Sequence, residues 1–192
     1  MSSWSGIKNP FGLGGTSSFQ WTDYSSGRQP YPSRLYDLIT EYHRAGGAGW
    51  DQVIDFGAGD CTIEPELLKR YRFVEATDES ETQLQLGYSR LRSAGLEEGR
   101  LTIRQCLAGQ HPGANESADL ITAATCSHFF DVPAFIKDAA RLLRPGGTLA
   151  IWSGGYFPVV VAGVEDAKLG KVRELMCKFS DMVIREWVEV SL

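Results

Sequence analysis

The sequence predicts an α/β fold, a doubly wound and mainly parallel sheet in the strand order 3-2-1-4-5. Three observations carry that expectation. Short apolar runs rich in β-forming residues alternate with helical periodicity, and the links between them are short. The first run, Val53-Ile54-Asp55-Phe56, breaks at Gly57-Ala58-Gly59 directly into a helical pattern marked by Ile63, Leu67 and Leu68. Strands that alternate with helices over short links close into a parallel sheet with helices on its faces.

Taken in order, residues 1–30 are rich in Ser, Gly, Trp and Phe without strand or helix period, and read as an irregular arm. Residues 31–192 read as a single domain. Its first helix is expected from Ser33 to about Arg44, with Leu35, Leu38, Ile39 and Tyr42 on one apolar face and Gly46-Gly47 as its stop. The glycine-turn unit follows. Phe73–Asp78 is the second strand, and Ser80-Glu81-Thr82-Gln83 opens the next helix as a capping box. Leu101–Cys106 is the third strand and Ala118–Ala124 the fourth. Asp131 caps a helix with Phe135, Ala139, Leu142 and Leu143 inward. Arg144-Pro145-Gly146-Gly147 is expected to end that helix sharply, leaving Thr148–Trp152 as the fifth strand. From Val164 to Val190 a stripe of Leu169, Val172, Met176, Phe179, Val183, Trp187 and Val190 recurs at helical steps, as one long helix packed on the sheet.

Composition narrows the function classes. The chain has 192 residues, 43% hydrophobic and 22% charged, and a net charge of −5. An acidic balance disfavours a nucleic-acid surface, which needs clustered base. Four cysteines without a CxxC pair, and only three histidines, suggest neither a disulfide framework nor a metal site. With no long apolar run and no leader pattern, the expected setting is cytoplasmic, away from membranes.

The glycine turn is where chemistry is expected. A strand passing through tight glycines into a helix start exposes backbone N–H groups and lets a ligand approach closely. Two ligand readings compete with a plain turn that binds nothing. The dinucleotide fingerprint needs a sixth-position glycine, and Thr62 stands there, which counts against a nicotinamide-dependent reductase. An S-adenosylmethionine (SAM) loop fits Asp55-Phe56-Gly57-Ala58-Gly59-Asp60-Cys61, except that Cys61 replaces the last glycine. Asp78, about 20 residues further on at the end of the second strand, sits where an acid accepts ribose hydroxyls. The loop at Leu107-Ala108 can lie over an adenine ring. Thr125 and His128 follow the fourth strand, at the end of the sheet where ligands bind. In the N-terminal arm, Arg28 is a candidate carboxylate contact.

In this order the residues resemble the class I SAM-dependent methyltransferases, and more narrowly the group of trans-aconitate methyltransferase. The likeness covers Tyr24 to Trp152. It rests on Asp55–Gly59, Asp78, the run Asp119–Ala124 continuing to His128-Phe129-Phe130-Asp131, the Leu142–Gly147 motif, and the Arg28–Pro32 approach to the first helix. It implies a Rossmann-like sheet of seven strands and methyl transfer from SAM. It implies cofactor contacts at Asp55, Gly57, Ala58, Gly59, Asp78, Glu79, Leu107, Ala108 and Thr125, and substrate contacts at Tyr24, Arg28 and His128. Ala108 stands where many relatives carry an acid for the adenine amine. Relatives continue past the fifth strand into further helices and an antiparallel hairpin. Here the hairpin is expected to be absent, leaving an apolar edge for the terminal helix or a second copy, as a homodimer, to cover.

Methyl transfer from a sulfonium is an in-line displacement, so alignment and exclusion of water carry most of the rate. A carboxylate acceptor is already ionised at neutral pH and needs no base. The expected function is therefore methylation of a small-molecule carboxylic acid, with His128 as the base if the acceptor is a hydroxyl or an amine. The alternative is a shortened, catalytically silent relative that acts as a binding or scaffold protein.

Overall fold

A computed structural model describes residues 30–153. Its elements are α1 (Ser33–Gly46), β1 (Gln52–Phe56), α2 (Glu64–Leu68), β2 (Phe73–Asp78), α3 (Glu81–Ser93), β3 (Leu101–Gln105), β4 (Ala118–Ala124), a 3-10 turn (Ser127–Phe129), α4 (Val132–Leu142) and β5 (Leu143–Trp152). The sheet order is β3-β2-β1-β4-β5 and every pairing is parallel, as the sequence predicts. The N-terminal arm, the stripe at 164–190 and the segment of the expected missing hairpin lie outside the described residues, whereas β5, the expected dimer edge, is described and ends the sheet order. Among the described residues no helix is long and apolar enough to cross a membrane.

β1 is the spine. Val53 pairs with Val74 on one side and Leu120 on the other, and Val53 through Phe56 are buried. β4 is buried from Ala118 to Ala123, the near-continuous apolar run of a strand covered on both faces. One face packs Val53, Val74, Ala76 and Leu120 under Tyr36, Ile63, Leu67, Leu84 and Leu91. The other packs Ile54, Phe56, Ile121 and Ala123 under Phe135, Ala139 and Leu142 of α4. The chain winds from β1 through β2 to β3, then returns to the far side of β1 at β4. That reversal opens a crevice at the carboxyl ends of β1 and β4, the usual ligand position in open α/β sheets.

Two expectations are corrected. The inner face of α1 is Tyr36, Ile39 and His43, while Leu38 and Tyr42 are exposed at 49% and 69%. His43 wins the interior because both ring nitrogens find partners there: Nε2 bonds the carbonyl of Gly49 (2.8 Å) and Nδ1 bonds Thr148 Oγ1 (2.9 Å). β5 begins at Leu143, not Thr148. Ala118 pairs with Leu143 and Leu120 with Thr148, so Arg144–Gly147 form a bulge inside the strand and not a stop before it. Arg144 donates from there to Asp119 Oδ2 (2.8 Å), which also accepts the N–H groups of Asp51 and Gln52. Asp119 thus clamps the amino edge of the sheet, far from the ligand end.

The bulge is where α1 docks. At Gly146 (φ +77°) an added Cβ would lie 2.3 Å from the carbonyl oxygen of Gly46. Gly146→Ala should therefore lower unfolding free energy by ~3 kcal/mol, combining a backbone clash with left-handed strain. Gly95→Ala, at φ +94° with nothing within 4 Å, should lose only ~1 kcal/mol. Chemical denaturation of the two variants checks the difference.

Candidate functional site

The glycine turn follows β1 at the crevice, and backbone and side-chain bonds tie it to the end of β2. Ala58 N–H donates to the Thr77 carbonyl (3.0 Å), and the Thr77 hydroxyl donates back to the Asp55 carbonyl (2.9 Å). Gly59 N–H donates to Asp78 Oδ2 (2.9 Å), whose Oδ1 accepts Ser80 N–H (2.8 Å). Both glycines are left-handed, at φ +68° for Gly57 and +56° for Gly59. A Cβ at Gly57 would sit 2.6 Å from Cys126 Sγ, so no other residue fits. Cys126 is itself locked there, its thiol donating to the Phe56 carbonyl (3.1 Å). The result is a cradle of bare backbone at the mouth of the crevice.

Cys61, the departure from the glycine pattern, takes φ +59° and buries its side chain in the core of that face. Gly87 of α3 makes this tolerable. A Cβ at Gly87 would meet the Asp60 carbonyl oxygen at 2.2 Å and Cys61 Cβ at 2.9 Å, so the turn rests directly on the α3 backbone. Sequence reasoning passed over Gly87, whose signal was a glycine interrupting a well-capped helix.

The structure gathers most of the predicted site residues along one rim. Asp55, Gly57, Ala58 and Gly59 end β1, and Asp78 and Glu79 end β2. Burial holds the Asp78 carboxyl above its usual range, against the pull of the Ser80 and Gly59 N–H donors. Leu107 and Ala108 follow β3: Leu107 is exposed, and Ala108 packs on the core beneath α4. Thr125 follows β4 at φ +58°, an unusual conformation for a β-branched residue. Its N–H bonds the Trp152 carbonyl (2.7 Å) and its hydroxyl bonds Tyr31 OH (2.6 Å). Strain held in this way at a crevice is a mark of functional sites. His128 is exposed on the 3-10 turn with its ring 4.0 Å from that of Phe129, while Phe130 turns inward to Phe135. Tyr24 and Arg28 lie outside the described residues.

A further group emerges beneath the turn. Asp55 is buried at 1% exposure, and its Oδ1 accepts the Thr122 hydroxyl. Beside it Glu64, the first residue of α2, is wholly buried, and neither carboxyl oxygen has a donor. Burial pushes Asp55 up to about 7, and burial together with the Asp55 charge holds Glu64 well above its ordinary range. An acid whose folded pKa is raised contributes stability that is complete below its unfolded pKa and is lost as pH rises through the folded value. The window from Asp55 is thus about pH 4 to 7. The thermal midpoint should be higher at pH 5.5 than at pH 8, by roughly 5 °C. In Glu64→Gln, which removes the second charge, the difference should shrink. Calorimetric scans of both proteins check it.

Comparison with known proteins accords with this geometry. The methyltransferase pgmE of Aspergillus terreus is 32% identical over 141 residues, covering 70% of this chain and 42% of that protein. The methyltransferase ptaI of Pestalotiopsis fici is 30% identical over 191 residues, covering 90% and 55%. The chain spans about half, or less, of the length of these relatives. Among solved structures, an assigned S-adenosyl-L-methionine-dependent methyltransferase of Methanococcus maripaludis superposes with a TM-score of 0.61 at 24% identity, over 80% of this chain and 68% of that one. A SAM-dependent methyltransferase of Aquifex aeolicus gives a TM-score of 0.54 at 21% identity, over 69% and 72%. At these identities the likeness is one of fold. The sequence profile of the methyltransferase domain matches residues 54–151, just over half of the chain, from within β1 to within β5. The chain belongs to the methyltransferase domain family.

Proposed function

We propose that the chain binds SAM along the carboxyl rim and transfers its methyl group to a small-molecule acceptor, a carboxylic acid oxygen. The observation that carries this reading is the bond from Gly59 N–H to Asp78, which joins a bare-backbone turn and a ribose-type acid into one cradle. The residues present fit the cofactor. The turn presents bare backbone at Gly57 and Gly59, and Asp78 keeps lone pairs free after accepting two N–H groups. Family membership does not favour the catalytically silent alternative.

Bound SAM supplies an electrophilic methyl group on a sulfonium. In this reading Asp78 and Glu79 orient the ribose, Leu107 and Ala108 flank the adenine, and the turn from Gly57 to Gly59 holds the methionine end. Thr125 and His128 stand at the end of β4 toward the acceptor, with Tyr24 and Arg28 as further contacts from the arm. Cytoplasmic small-molecule metabolism is the setting proposed with it. A carboxylate acceptor needs no proton removed, which suits a site where the one histidine at the rim is exposed. The narrower likeness to the trans-aconitate methyltransferase group, carried by the sequence motifs, is proposed with it.

Isothermal titration should show SAM binding to the folded wild-type chain, and Asp78→Asn should weaken it about ten-fold or more through lost charge-assisted bonds to the ribose. Absence of SAM binding overturns the reading. Labelled SAM with a panel of small carboxylic acids tests the acceptor: base-labile methyl ester is expected, and label found only on amines or hydroxyls overturns the carboxylate assignment.

A further inference from the structure

Three carboxyl groups surround the glycine turn: Asp55, Glu64 and Asp78. Among the described residues none of them is ion-paired with Lys or Arg, although pairs of that kind are common elsewhere on the molecule. The groups facing the Asp55–Glu64 pair come from every neighbouring element. They are Tyr36 of α1, Asp60 and Cys61 of the turn, Asp78 of β2 and the neutral Thr122 of β4. Arg90 of α3 lies beyond Cys61, but it is engaged by the carbonyls of Asp60 and Cys61 and by the Asp60 carboxylate.

Two buried carboxyls in contact cannot both ionise without a cation; in the free protein they hold a proton between them. Burial and mutual repulsion accordingly raise both acids. Such a pair is unfavourable for the empty protein, and among the described residues no group other than Asp55 offers the Glu64 side chain a proton to share or a charge to balance. A ligand cation at this point would supply what the protein withholds. Resting on the SAM reading above, which sets the methionine portion at this turn, we infer that Glu64, together with Asp55, receives the α-ammonium group of the cofactor. Its arrival releases the shared proton to solvent and leaves both carboxylates ionised against one positive charge. Glu64 is thus a cofactor-binding residue specific for an amine-bearing ligand, and binding is linked to proton release.

The test is isothermal titration of the full chain at pH 7.5 in phosphate and in Tris, whose different ionisation heats report protons exchanged. The ligands are SAM, S-adenosylhomocysteine and 5′-methylthioadenosine. The first two carry the ammonium and should each release about one proton; the third lacks the amino-acid portion and should release none. Glu64→Gln should abolish the release and weaken S-adenosylhomocysteine about ten-fold, with 5′-methylthioadenosine within about two-fold of wild type. SAM binding without proton release overturns this inference and leaves the cofactor reading standing, as does equal release by 5′-methylthioadenosine or equal weakening of both ligands in the variant. No binding of SAM to folded wild type overturns both. The wild-type comparison of ligands decides the matter even if the variant does not fold.

Discussion

A strand buried on both faces that carries a carboxylate one residue before its end sets the terms for everything around it. β1 lies between β2 and β4 and delivers Asp55 into the interior, where its charge has no water. Among the described residues the surroundings answer with hydroxyls and no cation. Thr122 from β4 donates to the carboxyl, and Thr77 from β2 donates to the carbonyl of the same residue. The strands flanking β1 thereby hold the point at which the chain turns, and the turn inherits their rigidity. Glu64 then closes the space from below without contributing a donor.

That rigidity explains how an irregular glycine pattern is accommodated. Gly57 is pressed against Cys126, so the turn cannot move toward the segment after β4, and the bare backbone of Gly87 lets Asp60 and Cys61 settle on α3. Cys61 occupies a left-handed position that favours glycine, yet its thiol is buried in the apolar core beneath the turn and does not point into the crevice. The cradle therefore keeps its bare-backbone floor. On the opposite side of the rim, the bonds of Thr125 to Tyr31 and to the Trp152 carbonyl hold a second strained residue in place. A site flanked by two strained residues, each fixed by neighbours, is pre-organised before any ligand arrives.

Much of the fold was legible because its signals are local. The limits of β2 and β4 follow from apolar runs bounded by polar residues, and the starts of α3 and α4 follow from Ser80 and Asp131, both of which cap as expected. Where the sequence misled, a polar side chain had found distant partners. His43 displaced Leu38 and Tyr42 from the inner face of α1 because Thr148 and Gly49 satisfy its ring. The Arg144–Gly147 motif reads as a helix stop, but Leu143 pairs with Ala118 before it and Thr148 with Leu120 after it, which makes it a bulge. Glu64 in a first helical turn reads as a surface acid favoured by the helix dipole. Its place three residues before the buried Leu67 was the one hint that it faces inward.

The sequence by itself determined the alternation of strands and helices, the glycine turn and the acid that follows it, because β periodicity, turn chemistry and spacing are written in consecutive residues. Only the tertiary structure decided that Asp55 and Glu64 share one buried space, that Gly87 makes room for Cys61, and that His128 faces solvent. Each of those depends on which side chains meet across the sheet, and such meetings are set by packing between segments far apart in the chain.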